Sequence, residues 1–330
     1  MPTRRDVIRS CALAPLAAPF VSRAARAEAG YDRYPEGPIY SICPFPAGSG
    51  ADTKVRFYGA KLQAIAGKPV IVENKPGALG NIATEAVARA KPDGYTIYIA
   101  PGSSTLAAAP SLFKTLGYDP IRDFRSITTL SSSAFLLCVA GESPFKSVPE
   151  LTDYLKAKGG DASYGSIAPP GLVASEIYKA QFGLQTVEVK YRDQGSMLND
   201  LHGGAISFCH IDITTVAGQL KEGKVRGLAL TSAKPLKAAP GIPGAEEAGI
   251  PNMDVVTWWS VHVPAKTPTP ICDRLEAWFN TIAVEPDTVA FNASVGSDVM
   301  PGNHAMLDAL LARQTRLWHD YARIAKIEPM

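Results

Sequence analysis

Glycine, serine and aspartate crowd into one short run, Ile42-Cys43-Pro44-Phe45-Pro46-Ala47-Gly48-Ser49-Gly50-Ala51-Asp52, and the chemistry available there is anion binding. Glycines at 48 and 50 let the backbone turn sharply and leave its N–H groups uncovered by side chains. A short strand, Ile39 to Cys43, precedes the run. The spacing predicts a helix from about Asp52 to Ala66, whose first turn adds unpaired N–H donors and the positive end of a helix dipole. Strand, loop and helix start together make a cradle for an anion. The same residues also describe an ordinary strand-to-helix connection with Asp52 as N-cap, and the spacing alone does not separate the two.

Other reactive residue types do not assemble into a catalytic motif. There is no G-x-S-x-G elbow and no P-loop, and Gly48-Ser49-Gly50 lacks the third glycine of a dinucleotide fingerprint. The five histidines, at 202, 210, 262, 304 and 319, show no H-E-x-x-H spacing, and no C-x-x-C occurs. Cys209-His210 beside Asp212 suggests a thiol or metal site, but strand alternation sends 209 and 210 to opposite faces, which favours packing. Trp258 and Trp259 divide in the same way, one toward a core and the other toward a cleft. No enzymatic activity, cofactor or metal is expected.

The chain's 330 residues suffice for two domains, and 46% hydrophobic content with mean hydropathy of +0.01 describes a soluble globular protein. At the start, Thr3-Arg4-Arg5-Asp6-Val7-Ile8-Arg9 is a twin-arginine pattern followed by a modest apolar run from Cys11 to Val21, with Ala25-Arg26-Ala27 as a cleavage site. Residues 1–27 are thus expected to be a signal peptide, cleaved near Ala27, for twin-arginine export to the periplasm. The run is too short and proline-broken to span a membrane, and Ile8-Arg9-Ser10 before Cys11 is a poor lipobox. Losing the leader removes five arginines and one aspartate, which turns a net charge of +2 into −2. No basic patch points to nucleic acid. Of the remaining Cys43, Cys138, Cys209 and Cys272, three lie in apolar strand-like runs, and buried thiols are favoured over bridges.

Strands and helices alternate along the rest. Val55, Tyr58, Leu62 and Ile65 mark the apolar stripe of the helix at 52–66, which stops at Gly67. Loops at 74–80 and 101–105, leading into helices, repeat the strand, small-residue loop and helix pattern, so three units in a row argue for a parallel sheet with ligand-facing loops. Further helices are expected at 81–91, 172–182, 214–222, 268–283 and 303–325. Leu307, Leu310, Leu311, Leu317, Tyr321 and Ile324 form a stripe on the last, expected to dock on the first domain. Two long strands, at 126–141 and 255–263, bracket the middle block. They imply a discontinuous domain 1 (28–132 plus 256–330), a domain 2 (133–255) and a hinge.

Several runs carry a family resemblance: Pro44-Phe45-Pro46-Ala47-Gly48 with Asp52, Val72-Glu73-Asn74-Lys75-Pro76-Gly77-Ala78, and Pro92-Asp93-Gly94-Tyr95-Thr96. Asp119-Pro120 with Asp123-Phe124, Tyr191-Arg192 with Gly195, Gly223-Lys224-Val225-Arg226, Glu246-Glu247-Ala248-Gly249-Ile250-Pro251 and Thr257-Trp258 continue it. The chain resembles Bug-type extracytoplasmic solute receptors, the substrate-binding components of tripartite tricarboxylate transporters, from about residue 35 to 325. The resemblance implies an α/β type II periplasmic-binding-protein fold, two doubly wound α/β domains joined by two crossover strands, with a small organic carboxylate held in the cleft. It implies delivery of that ligand to integral membrane permease subunits by a monomeric receptor. Carried over by position, the ligand-binding residues are Phe45, Ala47, Gly48, Ser49, Gly50, Asp52, Gly102 and Ser103 from domain 1, with Ser166 and Asp212 from domain 2.

The sequence departs from that family where Ser166-Ile167-Ala168-Pro169-Pro170-Gly171 replaces a longer Gly/Ser/Thr-rich loop. Prolines have no N–H, so the distal end of the ligand is expected to be aromatic, amide or aliphatic. Asp212 either accepts from a ligand donor or caps the following helix, and Asp52 either orders its loop or touches ligand. Two rival functions remain: a receptor of the same fold reporting to a membrane sensor, and a periplasmic enzyme.

Overall fold

The computed structural model describes residues 31–330. The expected leader and its cleavage site lie outside the described residues. In chain order, β1 (Ile39–Cys43) leads into α1 (Gly50–Ala66), β2 (Val70–Asn74), α2 (Asn81–Ala88), β3 (Thr96–Pro101), the short α3 (Ala109–Leu112) and the long β4 (Phe124–Ala140). Next come α4 (Val148–Lys158), β5 (Ser163–Ser166), α5 (Pro169–Phe182), β6 (Val187–Lys190), α6 (Gln194–His202), β7 (Phe208–Asp212), α7 (Ile213–Lys221) and β8 (Val225–Leu230). The chain returns through β9 (Val256–Pro264) to α8 (Thr269–Ala283), α9 (Pro286–Ser294), β10 (Asp298–Val299) and α10 (His304–Ile324).

β4 is the spine of the sheet, whose order is β2-β1-β3-β9-β4-β7-β5-β6, with β8 and β10 also paired to β4. Through Ala134 it runs antiparallel to β9, with β10 against Ser131 and Ser132. From Phe135 onward its neighbours are β7 and β8. The partner change reflects composition. The first half is rich in serine and threonine, whose buried hydroxyls find partners: Thr128 donates to the Gly302 carbonyl at 3.0 Å and Thr129 to the Met300 carbonyl. The second half, Phe135 to Val139, is apolar and buried on both faces. β1 lies parallel to β2 and β3, and β5 parallel to β6 and β7, as strands joined by helical crossovers do.

Thr231 ties the two crossings together. Its hydroxyl accepts from the Phe135 N–H at 2.9 Å and donates to the Val255 carbonyl at 2.6 Å, while its own N–H bonds the Phe135 carbonyl at 2.8 Å. The chain leaving for the second half of the sheet and the chain coming back are thus stitched at one buried side chain.

Three apolar clusters hold the molecule. One fills the first half around Val55, Tyr58, Leu62, Ile97, Leu275 and Phe279; another fills the second half around Leu136, Met197, Leu201, Ile211 and Val216. The largest spans both halves, from Tyr98 and Phe124 to Leu137, Tyr164 and Phe208, and α10 covers it with Leu307, Leu311, Trp318 and Tyr321. α10 was expected to dock on the first half; it packs on β4 and α3 and reaches α5 of the second half as well. At ~1.5 Å per residue a helix of this length reaches roughly 30 Å, enough for one stripe to cross the spine. Two boundaries also shift. α5 starts at Pro169, three residues before expectation, because Pro169 and Pro170 occupy its first turn, where a missing N–H costs nothing. α1 starts at Gly50, with Ser49 and not Asp52 as N-cap. Cys43, Cys138, Cys209 and Cys272 are buried free thiols, and Cys138 lies opposite Cys209 across β4 and β7.

Candidate functional site

A cavity of about 700 Å³ lies between the two halves of the sheet. Its first wall is the start of α1 with the loops around Phe45, Leu79 and Pro101; its second is the turn Ile167–Gly171 with His210, Ile211 and Asp212. Phe135 and Trp259, from the two crossing strands, also line it.

The β1–α1 loop holds its shape by its own polar groups. Ser49 Oγ accepts the Asp52 N–H at 3.1 Å. Asp52 Oδ2 takes the Gly48 N–H at 2.9 Å and Arg56 Nε at 2.9 Å, and Oδ1 takes the Asn74 amide at 2.8 Å. The Arg56 guanidinium foremost, with Asn74 and the Gly48 N–H, holds the Asp52 carboxyl at about 2, against the opposing effect of burial. Ser49 N–H bonds the Pro46 carbonyl at 3.2 Å. The N–H groups of Gly50 and Ala51, in the first turn of α1, have no partner among the described residues, and both residues line the cavity. They also sit at the positive end of the helix dipole.

One turn further along α1 is a group that no motif in the sequence marks. Lys54 is buried, 4% exposed, and lines the cavity. Its ammonium donates to Ser131 Oγ on β4 at 3.0 Å and to Ser297 Oγ ahead of β10 at 3.2 Å, and lies 5.2 Å from the centre of the Trp259 ring. Among the described residues no carboxylate is within 4.0 Å of it. Burial pushes its pKa down to about 8, with the charge of Asp212 across the cleft working in the other direction. Lys54 sits four residues before Tyr58, on the buried side of α1 together with Asp52, Val55 and Leu62.

On the second wall, Asp212 caps the following helix, one of the two roles expected of it, and it also faces the cavity. Its Oδ1 accepts the Thr214 N–H at 2.9 Å and the Thr214 hydroxyl at 2.8 Å, capping α7, and the residue lines the cavity. Oδ2 has no partner among the described residues. Burial raises its pKa, opposed by Thr214 and by Lys54. His210, two residues back on the same face of β7, packs its ring against Tyr178 and Phe208 and also borders the cavity. The Ser175 hydroxyl donates to the Gly171 carbonyl at 2.9 Å, so the 2.9 Å contact from His210 Nδ1 makes the imidazole the donor. Burial holds that ring neutral, with a pKa of about 3. Pro169 and Pro170 place two N–H-less residues where α5 would otherwise offer donors.

The expected residues therefore separate. Phe45, Gly50 and Asp212 line the cavity. Ala47 and Gly48 are exposed on the loop, Gly48 and Ser49 spend their N–H groups inside it, and Asp52 orders it. Gly102 packs under Trp258, where a Cβ would meet the indole at 2.2 Å. Ser103 Oγ accepts the Trp258 N–H at 3.4 Å, and Pro101 and Ser104 take its place at the cavity. Ser166 donates its hydroxyl to Glu188. As alternation requires, Trp258 is core and Trp259 faces the cleft. No group of three or more histidine, cysteine or acidic side chains gathers for a metal among the described residues.

Comparison with known proteins gives this architecture a family. Residues 55–325 match the model of the tripartite tricarboxylate transporter family receptor, TctC. A UPF0065 protein in the tcbD-tcbE intergenic region of Pseudomonas sp. (strain P51) is 28% identical over 96% of this chain and 94% of its own length. Among solved structures, Rpa4515 of R. palustris with adipate superposes with a TM-score of 0.77 at 27% identity, covering 90% of this chain and 100% of that one. The periplasmic binding protein BugD superposes at 0.74 with 28% identity, over 90% and 100% of the respective chains. Two α/β halves, a spine shared between them and a lined cleft are the architecture of these binding proteins, and the chain belongs to the tripartite tricarboxylate transporter receptor family.

Proposed function

We propose that this chain is a periplasmic solute-binding receptor, not an enzyme. It closes two lobes, 28–132 with 256–330 and 133–255, over a small organic carboxylate, then delivers the ligand to membrane permease subunits. The observation that carries this reading is the first wall of the cleft: two unpaired N–H groups at the start of α1 and a buried ammonium, facing an otherwise largely apolar cavity. A carboxylate there receives charge-assisted hydrogen bonds, each contributing on the order of 1.5–3 kcal/mol, and closure strengthens them by excluding water. The adipate of the R. palustris neighbour is a carboxylate of the right class. At the second wall, Pro169 and Pro170 offer no donors, which favours an aliphatic, aromatic or amide distal end over a second carboxylate. Thermal-shift and calorimetric titration with adipate, straight-chain and aromatic monocarboxylates, and the matching carboxamides tests the reading. Stabilisation by acids and not by their amides is expected; stabilisation by amides alone, or by neither, would overturn it.

A further inference from the structure

We propose that the cleft is a two-pole site in which Lys54 is the counter-ion of the ligand carboxylate and Asp212 accepts a hydrogen bond from a hydroxyl or ammonium group of the same ligand. This rests on the receptor reading above and narrows it to hydroxy and amino acids with an apolar body.

Lys54 supplies the first half of the argument. An ammonium removed from water without a counter-charge is costly, and buried charges are paired or neutralised. Lys54 has hydroxyl partners for two of its three N–H bonds, Ser131 and Ser297, but no carboxylate at ion-pairing distance among the described residues. The serines orient the ammonium without neutralising it. The remaining donor belongs to a side chain that lines the cavity, so an anion entering the cleft completes the set. The unpaired N–H groups of Gly50 and Ala51, on the same helix, add to that pole.

Asp212 supplies the second half. One of its oxygens is used by the cap of α7, and the other has no partner among the described residues. The two hydrogen bonds that Thr214 donates favour the ionised carboxylate, which only accepts hydrogen bonds and would repel a ligand carboxylate placed against it. The group that satisfies Asp212 is therefore a donor. Around these two poles the cavity offers Leu112, Phe135, Pro170 and Trp318, which suit a hydrocarbon chain or ring.

Two series of acids test this by calorimetry: 3-phenylpropanoate with its 2-hydroxy and 2-amino derivatives, and hexanoate with its 6-hydroxy and 6-amino derivatives. In at least one series the hydroxy or amino acid should bind ten-fold or more tightly than the plain acid. Asp212→Asn should reduce that preference to three-fold or less. Lys54→Met should weaken every acid a hundred-fold or more, and Lys54→Arg should recover at least ten-fold of that loss. Circular dichroism and the melting temperature of each empty variant report whether it folds, and the arginine variant keeps the charge if the methionine variant does not. Equal affinity within both series overturns the role of Asp212; Lys54→Met binding within three-fold of wild type overturns that of Lys54. Binding of none of the six by wild type overturns the inference, whereas failure of the broader acid and amide screen overturns the receptor reading beneath it.

Discussion

At the scale of single residues, Lys54 and Asp52 lie two positions apart on α1 and do opposite work. Lys54 carries a penalty: its amine is lowered from 10.5 to about 8 by burial, against the pull of Asp212. Below pH 8 the folded chain bears that penalty in full. Between about 8 and 10.5 the unfolded chain holds more protons than the folded one, so the empty receptor gains stability as pH rises. A bound carboxylate requires the protonated amine, so acid affinity should fall about ten-fold per pH unit above pH 8. Calorimetry at pH 7, 8 and 9 reads this, and a flat profile in wild type would show that no ligand charge meets Lys54. Asp52 contributes stability. Its depressed carboxyl is fully stabilising above about pH 4, and that contribution is lost as pH falls through about 2. Asp52→Ala should cost about 1–3 kcal/mol at neutral pH, read by urea denaturation, and should weaken ligand through the freed Gly48. Asp52 was legible because Gly-Ser-Gly followed by aspartate is a local signal. Lys54 was not, because its burial comes from β4, β9 and the turn before β10, far away in sequence.

The elements divide along the same line between local and distant causes. Strand, small-residue loop and helix units were readable because each is short and punctuated by glycine or proline, as at Gly67 and Pro92-Asp93-Gly94. The reach of α10 over both halves, and the flanking of one half of β4 by β7 and β8, follow from pairings across 70 residues or more, which no local pattern records. Thr231 belongs to this second class. Its hydroxyl serves Phe135 and Val255 at the point where the sheet changes partners. Thr231→Val keeps the shape and removes both bonds, leaving a buried N–H and carbonyl, and should destabilise by about 2–4 kcal/mol. Urea denaturation measures that cost; a change under 0.5 kcal/mol would mean the junction holds without the stitch. The first turn of α5 makes a gentler test. Pro169→Ala with Pro170→Ala restores two N–H donors in a conformation alanine adopts freely. Dicarboxylates should then gain several-fold over monocarboxylates in calorimetric titration, and unchanged selectivity would remove the prolines from ligand choice.

For the molecule as a whole, the proposed receptor function has the halves close over ligand, and the mouth of the cleft is where that motion would be felt. Leu79 on the first half and Ile167 on the second both line the cavity while 47% and 40% exposed. Leu79 is held at φ 52° and ψ 30°, a left-handed conformation that costs a side-chain-bearing residue about 1–2 kcal/mol. Such strain persists where the surroundings impose it, often at ligand clamps. Here the adjoining Gly80 is fixed by its neighbours, since a Cβ there would meet Thr105 at 2.9 Å, and the turn presents Leu79 at the opening. Closing the lobes would bury both apolar side chains, and burying half a leucine is worth about 1 kcal/mol. Leu79→Gly separates the two effects. It relieves the left-handed strain, so the empty protein should melt no lower than wild type despite the lost side chain, and it removes the contact made on closure, so ligand affinity should fall about five-fold. Small-angle scattering with and without saturating ligand should show wild type contracting. A glycine variant that melts lower and binds as tightly as wild type would make Leu79 part of the resting fold and leave closure to be carried elsewhere along the cleft.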